Sequence, residues 1–160
     1  MEITMWTNET LAYFAGILDG EGHISVELQS ANGENRLKDY YSLRMIIANT
    51  NLEVIEWVVK NFGAAFRKDK KHPGNKQVYR ATFLGRGIFD ILDACYPYLI
   101  VKKPHADLVF KFRATIGKTG WRIPEDVREY RKQLYLEAKR MNKKGDHSEL
   151  PPCYPNAIAS

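Results

Sequence analysis

Phe14-Ala15-Gly16-Ile17-Leu18-Asp19-Gly20-Glu21-Gly22 closes the first helix that the residue pattern predicts. Thr7 or Asn8 can cap that helix, and Glu9 adds negative charge to its first turn. Leu11, Phe14, Ala15, Ile17 and Leu18 follow helical spacing. A second stripe, Ala12, Gly16 and Gly20, repeats every four residues. A mid-helix glycine costs about 1 kcal/mol relative to alanine, so Gly16 needs a reason. Small residues at this spacing let another helix approach backbone to backbone. The alternative is a helix packed tightly on its own sheet. Glu21 follows the stripe directly, held between two glycines. Two such helices side by side would bring two Glu21 carboxylates together, and like charges repel strongly unless cations neutralise them. Hard divalent ions with oxygen ligands, such as Mg²⁺, suit that role.

Working outward, His23 to Gln29 alternates as a strand, with Ile24, Val26 and Leu28 on one face. Ser30 to Asp39 reads as a polar hairpin loop. Tyr40 to Ile47 is a second strand that buries Tyr41, Leu43, Met45 and Ile47. A second helix begins near Asn49-Thr50-Asn51, carries Leu52, Ile55, Val58, Val59 and Phe62, and ends at Gly63. Residues 64–84 form a second hairpin, with Arg67, Lys68 and Lys70 on one arm, His72-Pro73-Gly74-Asn75 at the turn and Gln77 to Phe83 returning. The register of that return arm is ambiguous by one residue. Helices follow over about Gly87 to Tyr96, Pro104 to Thr115, and Pro124 to Met141. The fold class is therefore α+β: two hairpins make one four-stranded antiparallel sheet with helices on one face. The other face presents Ser25, Glu27, Gln29, Ser42, Arg44, Lys68, Lys70 and Arg80, with Lys38 and Gln77 in the adjoining hairpin segments. Such residues suit base edges and phosphates, although a plain solvated face is also common in antiparallel sheets.

The nine residues from Phe14 to Gly22 resemble the signature of the LAGLIDADG homing endonucleases. Seven of the nine positions are identical or conservative, with Gly20 and Glu21 as variations. The helix-strand-strand-helix-strand-strand-helix order over roughly residues 8–115 is similar to the family's arrangement, and Pro97-Tyr98-Leu99-Ile100-Val101-Lys102-Lys103 resembles the segment ahead of its C-terminal helices. One copy of the signature resembles the single-motif members, which are homodimers. The resemblance implies an αββαββα half with a saddle-like sheet, extra C-terminal helices and a single domain over 1–142, followed by a tail over 143–160. It implies a divalent-metal-dependent DNA endonuclease of the intron-encoded kind, acting on a pseudo-palindromic duplex and leaving short 3′ overhangs.

Residue by residue, the resemblance puts Glu21 at the family's metal-binding acid and Gly22 at a backbone carbonyl near the metal. Ala12, Gly16 and Gly20 fall at the helix–helix dimer contact. Lys102 falls at the lysine near the scissile phosphate, and the hairpin residues fall where the family reads the major groove. One departure matters: Ile46-Ile47-Ala48-Asn49 offers no glutamine to organise the attacking water, leaving Asn49, Asn51 or water alone. Asp19, two residues from Glu21, is expected to point elsewhere and stabilise the helix end. Arg128, Arg131, Lys132, Lys139 and Arg140 either add phosphate contacts or form a solvated helix face. An RNA-splicing maturase and a non-cleaving DNA-binding protein on the same fold stand as alternatives.

Composition agrees with one globular domain. The 160 residues are 44% hydrophobic and 27% charged, with net charge +5. Residues 1–60 hold 4 basic and 9 acidic side chains, and the remainder hold 20 and 10. A basic excess of this kind suits a polyanion partner. No apolar run approaches the roughly 20 residues that span a bilayer, so no membrane role is expected. The first residues lack a secretory signal, and two cysteines make no disulfide framework, so an intracellular setting is expected, with organelle, bacterial or phage context open. Asp19-Gly20-Glu21-Gly22 lacks the ligand spacing of a calcium loop, no phosphate-binding glycine loop is present, and the four histidines lack zinc-ligand spacing.

Overall fold

The computed structural model describes residues 6–30, 40–117 and 123–143. The expected hairpin loop with Lys38, the tail beyond Lys143 and Cys153 lie outside these residues. The element order is α1 (Asn8–Glu21), β1 (Gly22–Gln29), β2 (Tyr40–Asn49), α2 (Leu52–Phe62), β3 (Ala65–Lys68), β4 (Tyr79–Leu84), α3 (Gly87–Cys95), α4 (Lys103–Arg113) and α5 (Glu125–Met141). A single 3-10 turn over Tyr96–Tyr98, which the spacing does not predict, joins α3 towards α4.

Local chemistry explains the boundaries. Thr7 caps α1 by accepting from the Thr10 N–H. Asn51 caps α2 by accepting from the Glu53 and Val54 N–H groups. Gly63 ends α2 at φ 68°, a left-handed conformation that glycine adopts without a Cβ penalty. Gly22 joins α1 directly to β1, and its N–H reaches the Leu18 carbonyl. A Cβ on Gly22 would collide with that same carbonyl oxygen and with Leu18 Cδ1, so the helix-to-strand change leaves room for no side chain.

The four strands form one antiparallel sheet in the order β1-β2-β4-β3. Alternation sends Ile24, Val26, Leu43, Met45, Ile47, Ala81 and Phe83 towards the helices, where they are buried. Phe14 and Leu18 from α1, Ile55 and Val58 from α2, and Ile88 and Leu92 from α3 complete the core. Tyr41, expected inside, is only half-buried and lies 5.6 Å, ring to ring, from Tyr135 of α5. Leu28, also expected inside, is 42% exposed, one residue from the end of β1. Cys95 is a core residue whose thiol burial pushes up to about 12. Among the described residues, no helix is long and apolar enough to cross a membrane.

Candidate nucleic-acid interface and catalytic centre

Register settles which strand residues share the face turned away from the helices. Ser25 pairs with Arg44 and Glu27 with Ser42. Arg80 pairs with Ala48 on one side and with Arg67 on the other. Burial of Ala81 and Phe83 fixes the parity of β4, so Arg80 and Thr82 lie on the polar face. His23, Ser25, Glu27, Gln29, Ser42, Arg44, Arg67 and Arg80 therefore line one side.

Three of the expected contacts sit differently. Lys68 pairs with Tyr79, one residue out of phase with Arg80, so it belongs to the helix-side face, and Arg67 takes its place on the polar one. Lys70 lies beyond the end of β3 and is exposed. Gln77, expected as a DNA contact, commits its side-chain amide to the hairpin itself. Its Nε2 donates to the Asp69 and Val78 carbonyls at 2.7 and 3.0 Å.

Two networks order the polar face. Glu27 accepts from Ser25 Oγ, Gln29 Nε2 and Arg44 Nη1, and Gln29 also reaches Ser42. Five of the residues that the sequence places on this face are thus joined in one network. Asp69 organises the other. It accepts from Arg80 Nε at 2.6 Å and from Arg67 Nε and Nη2 at 3.3 Å. The Arg80 hydrogen bond holds the Asp69 carboxyl below the ordinary aspartate range, opposed in part by desolvation. Sequence reasoning misses this partnership of Asp69 with Arg67. Its signal is two-residue alternation within a short basic arm, which puts the acid and Arg67 on one side.

At the end of the sheet, the outer surface of α1 is open. Leu11, Phe14, Ala15 and Leu18 face the core, whereas Ala12, Gly16 and Gly20 are exposed. A Cβ on Gly16 or Gly20 would meet nothing within 4 Å. The small-residue stripe is therefore not used against the chain's own sheet, which removes that alternative. Glu21, the last residue of α1, is exposed and makes no hydrogen bond or ion pair with another described residue. It borders a shallow hollow with Ala48, Asn49, Thr50 and Val78. Asn49 Oδ1 accepts from the Asn51 N–H, and Asn51 caps α2. Of the two asparagines weighed for water organisation, only Asn49 borders the hollow with Glu21.

Asp19 does point away from Glu21, but it holds the segment ahead of α4 and not the end of its own helix. Its carboxylate accepts from the backbone N–H groups of Ile100 (2.8 Å), Val101 (3.1 Å) and Lys102 (2.8 Å). Lys102 immediately precedes α4, so Asp19 of α1 anchors from across the fold the turn that leads into that helix. The Lys102 ammonium, half-buried, is lowered from the ordinary lysine value by desolvation, while the Asp19 charge pulls it back up. Two histidines stand in the same electrostatic neighbourhood. Burial and then the Lys102 charge lower His23. The same two causes push His105 down to about 4, despite its hydrogen bond to Asn142. Asn142 Nδ2 in turn donates to the Ile24 carbonyl, tying α5 to β1. Neither His105 nor Asn142 is legible from sequence as part of this centre, since both lie far along the chain from Glu21.

The donor set fits a hard cation only in part. Among the described residues, no group of three His, Cys, Asp or Glu can hold a metal ion. Asp19 is committed to three amides, which leaves Glu21 and the Gly22 carbonyl. Both are oxygen donors of the type Mg²⁺ prefers, but two are too few on their own to fill its coordination shell.

The basic residues of the last helix divide: Arg131 is packed inside, whereas Lys132, Lys139 and Arg140 are exposed. Arg131 is buried, donating to Thr115 Oγ1 (2.8 Å) and the Thr115 carbonyl (3.1 Å), so it is no phosphate contact. Arg128 and Lys132 form ion pairs with Glu125 and Glu129.

Solved structures carry the same architecture. I-Vdi141I, an archaeal intron-encoded homing endonuclease complexed with DNA, superposes with a TM-score of 0.70 at 16% identity, covering 87% of each chain. The chain adopts the LAGLIDADG homing endonuclease fold. I-CvuI, solved on the I-CreI target with Mg and its DNA not cleaved, gives a TM-score of 0.68 at 20% identity over 86% of this chain and 83% of that one. I-SmaMI, a LAGLIDADG homing endonuclease bound to cleaved DNA, gives 0.64 at 13% identity over 87% of this chain but only 48% of that one. This chain thus corresponds to about half of I-SmaMI and to nearly the whole of the other two. No protein-family model and no curated protein matches the sequence itself.

Proposed function

We propose that this chain is a site-specific DNA endonuclease that works as a homodimer with a divalent metal, Mg²⁺ by the chemistry of its donors. The observation that carries the reading is the open surface of α1: a small-residue stripe that, like the Glu21 side chain at its end, has no partner among the described residues. Ile100 and Val101 stand exposed beside the end of the same helix, as apolar residues at a subunit seam would. The solved structures of this fold on DNA add support.

In this reading two copies of α1 pack through Ala12, Gly16 and Gly20, and each sheet follows one major-groove half-site of a pseudo-palindromic duplex. Glu21 and the Gly22 carbonyl of both subunits would hold the metal. A divalent ion bound there supplies Lewis-acid polarisation of the scissile phosphate and an activated water. Lys102 offsets negative charge that builds on the phosphate, and Asp19 holds the turn that carries it. The products are ends with short 3′ overhangs.

The test is cleavage selection from a randomised duplex library in Mg²⁺, with Glu21→Gln as control. The wild-type chain enriches one pseudo-palindromic site, and Glu21→Gln still binds that site without cutting it. Binding without cleavage by the wild-type chain would favour a non-cleaving regulator, and preference for structured intron RNA a maturase.

A further inference from the structure

We propose that Asp69 is a positioning residue that aims Arg80 at a guanine in each DNA half-site, an inference that rests on the DNA-reading face proposed above. Arg67 and Arg80 stand directly opposite each other across β3 and β4. Like charges in that relation repel. Asp69 lies two residues beyond Arg67, on the same side, and bonds both guanidiniums.

The acid is itself fixed. Its backbone N–H donates to the Val78 carbonyl at 3.0 Å, and its carbonyl accepts from Gln77 Nε2 at 2.7 Å. Its side chain is only 19% exposed. The carboxylate is therefore a rigid fixture of the hairpin, not a loose surface charge.

The geometry separates Arg80 from the other arginines of the face. Arg80 gives Asp69 only its inner nitrogen, Nε, which leaves both terminal nitrogens uncommitted among the described residues. Those two N–H groups are what a bidentate contact to guanine N7 and O6 requires. Arg67 commits Nε and Nη2 to Asp69. Arg44 gives Nη1 to both oxygens of Glu27 and buries its Nε. Of these three arginines, Arg80 alone is both held at its root and free at its tip.

Binding selection on randomised duplex DNA tests this, using the full chain beside Arg80→Ala, Arg80→Lys and Asp69→Asn. The wild-type chain selects one guanine per half-site that depends on Arg80. Arg80→Ala lowers the preference at that position by about 5- to 150-fold and leaves the others unchanged. Arg80→Lys keeps the charge but loses most of the preference, because it lacks the planar fork. Asp69→Asn weakens preference at the same position while overall affinity holds or rises, since a negative charge has gone. A merely structural Asp69 would instead lower affinity evenly across the site. That even loss, or an unchanged guanine preference in Asp69→Asn, overturns the proposal. A wild-type chain that enriches no site overturns the DNA-reading face as well. One that enriches a site with no Arg80-dependent guanine overturns this inference alone.

Discussion

Removing the Asp19 carboxylate should loosen α4 and retune Lys102 in one step. Three consecutive N–H groups, of Ile100, Val101 and Lys102, converge on its two oxygens. A typical hydrogen bond contributes about 0.5–1.5 kcal/mol net, and an acid near a helix N-terminus adds about 0.3–1 kcal/mol. Ile100 and Val101 are exposed, so water replaces part of what is lost there. Asp19→Ala should therefore cost about 1–2 kcal/mol, a drop in Tm of about 2–8 °C for a chain of this size. Asp19→Asn keeps one acceptor oxygen but turns an amide N–H towards a backbone N–H, so it should cost about 1 kcal/mol. The second consequence is electrostatic. Burial lowers the Lys102 ammonium and Asp19 opposes that fall, so either variant should lower Lys102 further. If Lys102 assists cleavage in its charged form, activity is lost as pH rises through its pKa. The alkaline limb of the cleavage profile should then move to lower pH in Asp19→Asn. Thermal unfolding and a pH–rate profile on one cognate duplex measure both effects. An unchanged Tm with an unmoved alkaline limb would refute the assignment of Asp19 as the anchor of this turn that also supports the lysine charge.

Gly16→Ala should stabilise the isolated chain by roughly 0.5–1 kcal/mol, because its Cβ meets nothing within 4 Å, yet weaken self-association. Sedimentation beside thermal unfolding checks the pair of effects, and undiminished dimerisation would count against the stripe as the seam. Gly22→Ala should destabilise by roughly 1–3 kcal/mol in urea unfolding, since its Cβ is driven into the Leu18 backbone carbonyl, which has no side-chain freedom to yield. His105 titrates at about 4 in the fold against 6.5 ordinarily, so the unfolded chain binds the extra proton between those values. Its contribution is present in full above about pH 6.5 and is lost as pH falls towards 4, at up to about 1.4 kcal/mol per unit. His105→Gln, which keeps a donor for Asn142, should flatten that slope in denaturant titrations.

The fold is legible in the sequence because its signals are periodic. Leu43, Met45 and Ile47 repeat every two residues, Ile55, Val58 and Phe62 every three or four, and all six are buried. Caps are legible to within a residue or two, as Thr7 from the pair Thr7 and Asn8 and Asn51 from Asn49-Thr50-Asn51, and directly at Gly63. The short strand β3 is the weak point. Its four residues are all exposed, so no hydrophobic alternation reports its phase, and the pattern points to Lys68 where the register points to Arg67. Phase comes from the partner strand instead: Ala81 and Phe83 are buried, so Arg80 must face outward, and pairing carries that phase across to Arg67.

The centre around Glu21 shows the same division on a smaller scale. A carboxylate after a glycine stripe can be read from adjacent residues, because both features lie within one helix. What Asp19 does cannot, because its partners lie 81 to 83 residues away and are backbone amides that carry no residue-type signal. The two acids of α1 then divide their work by helical geometry. Positions two apart on a helix point in different directions. Asp19 turns inward and is saturated by three N–H groups, while Glu21 turns outward and its side chain stays unpaired among the described residues. Exchanging the two acids, by combining Asp19→Glu with Glu21→Asp in one chain, separates location from residue type. If the outward position is what matters, the double variant should retain metal-dependent cleavage, weakened by the shorter reach of the aspartate. If cleavage instead follows the glutamate to position 19, the division of labour drawn here is wrong.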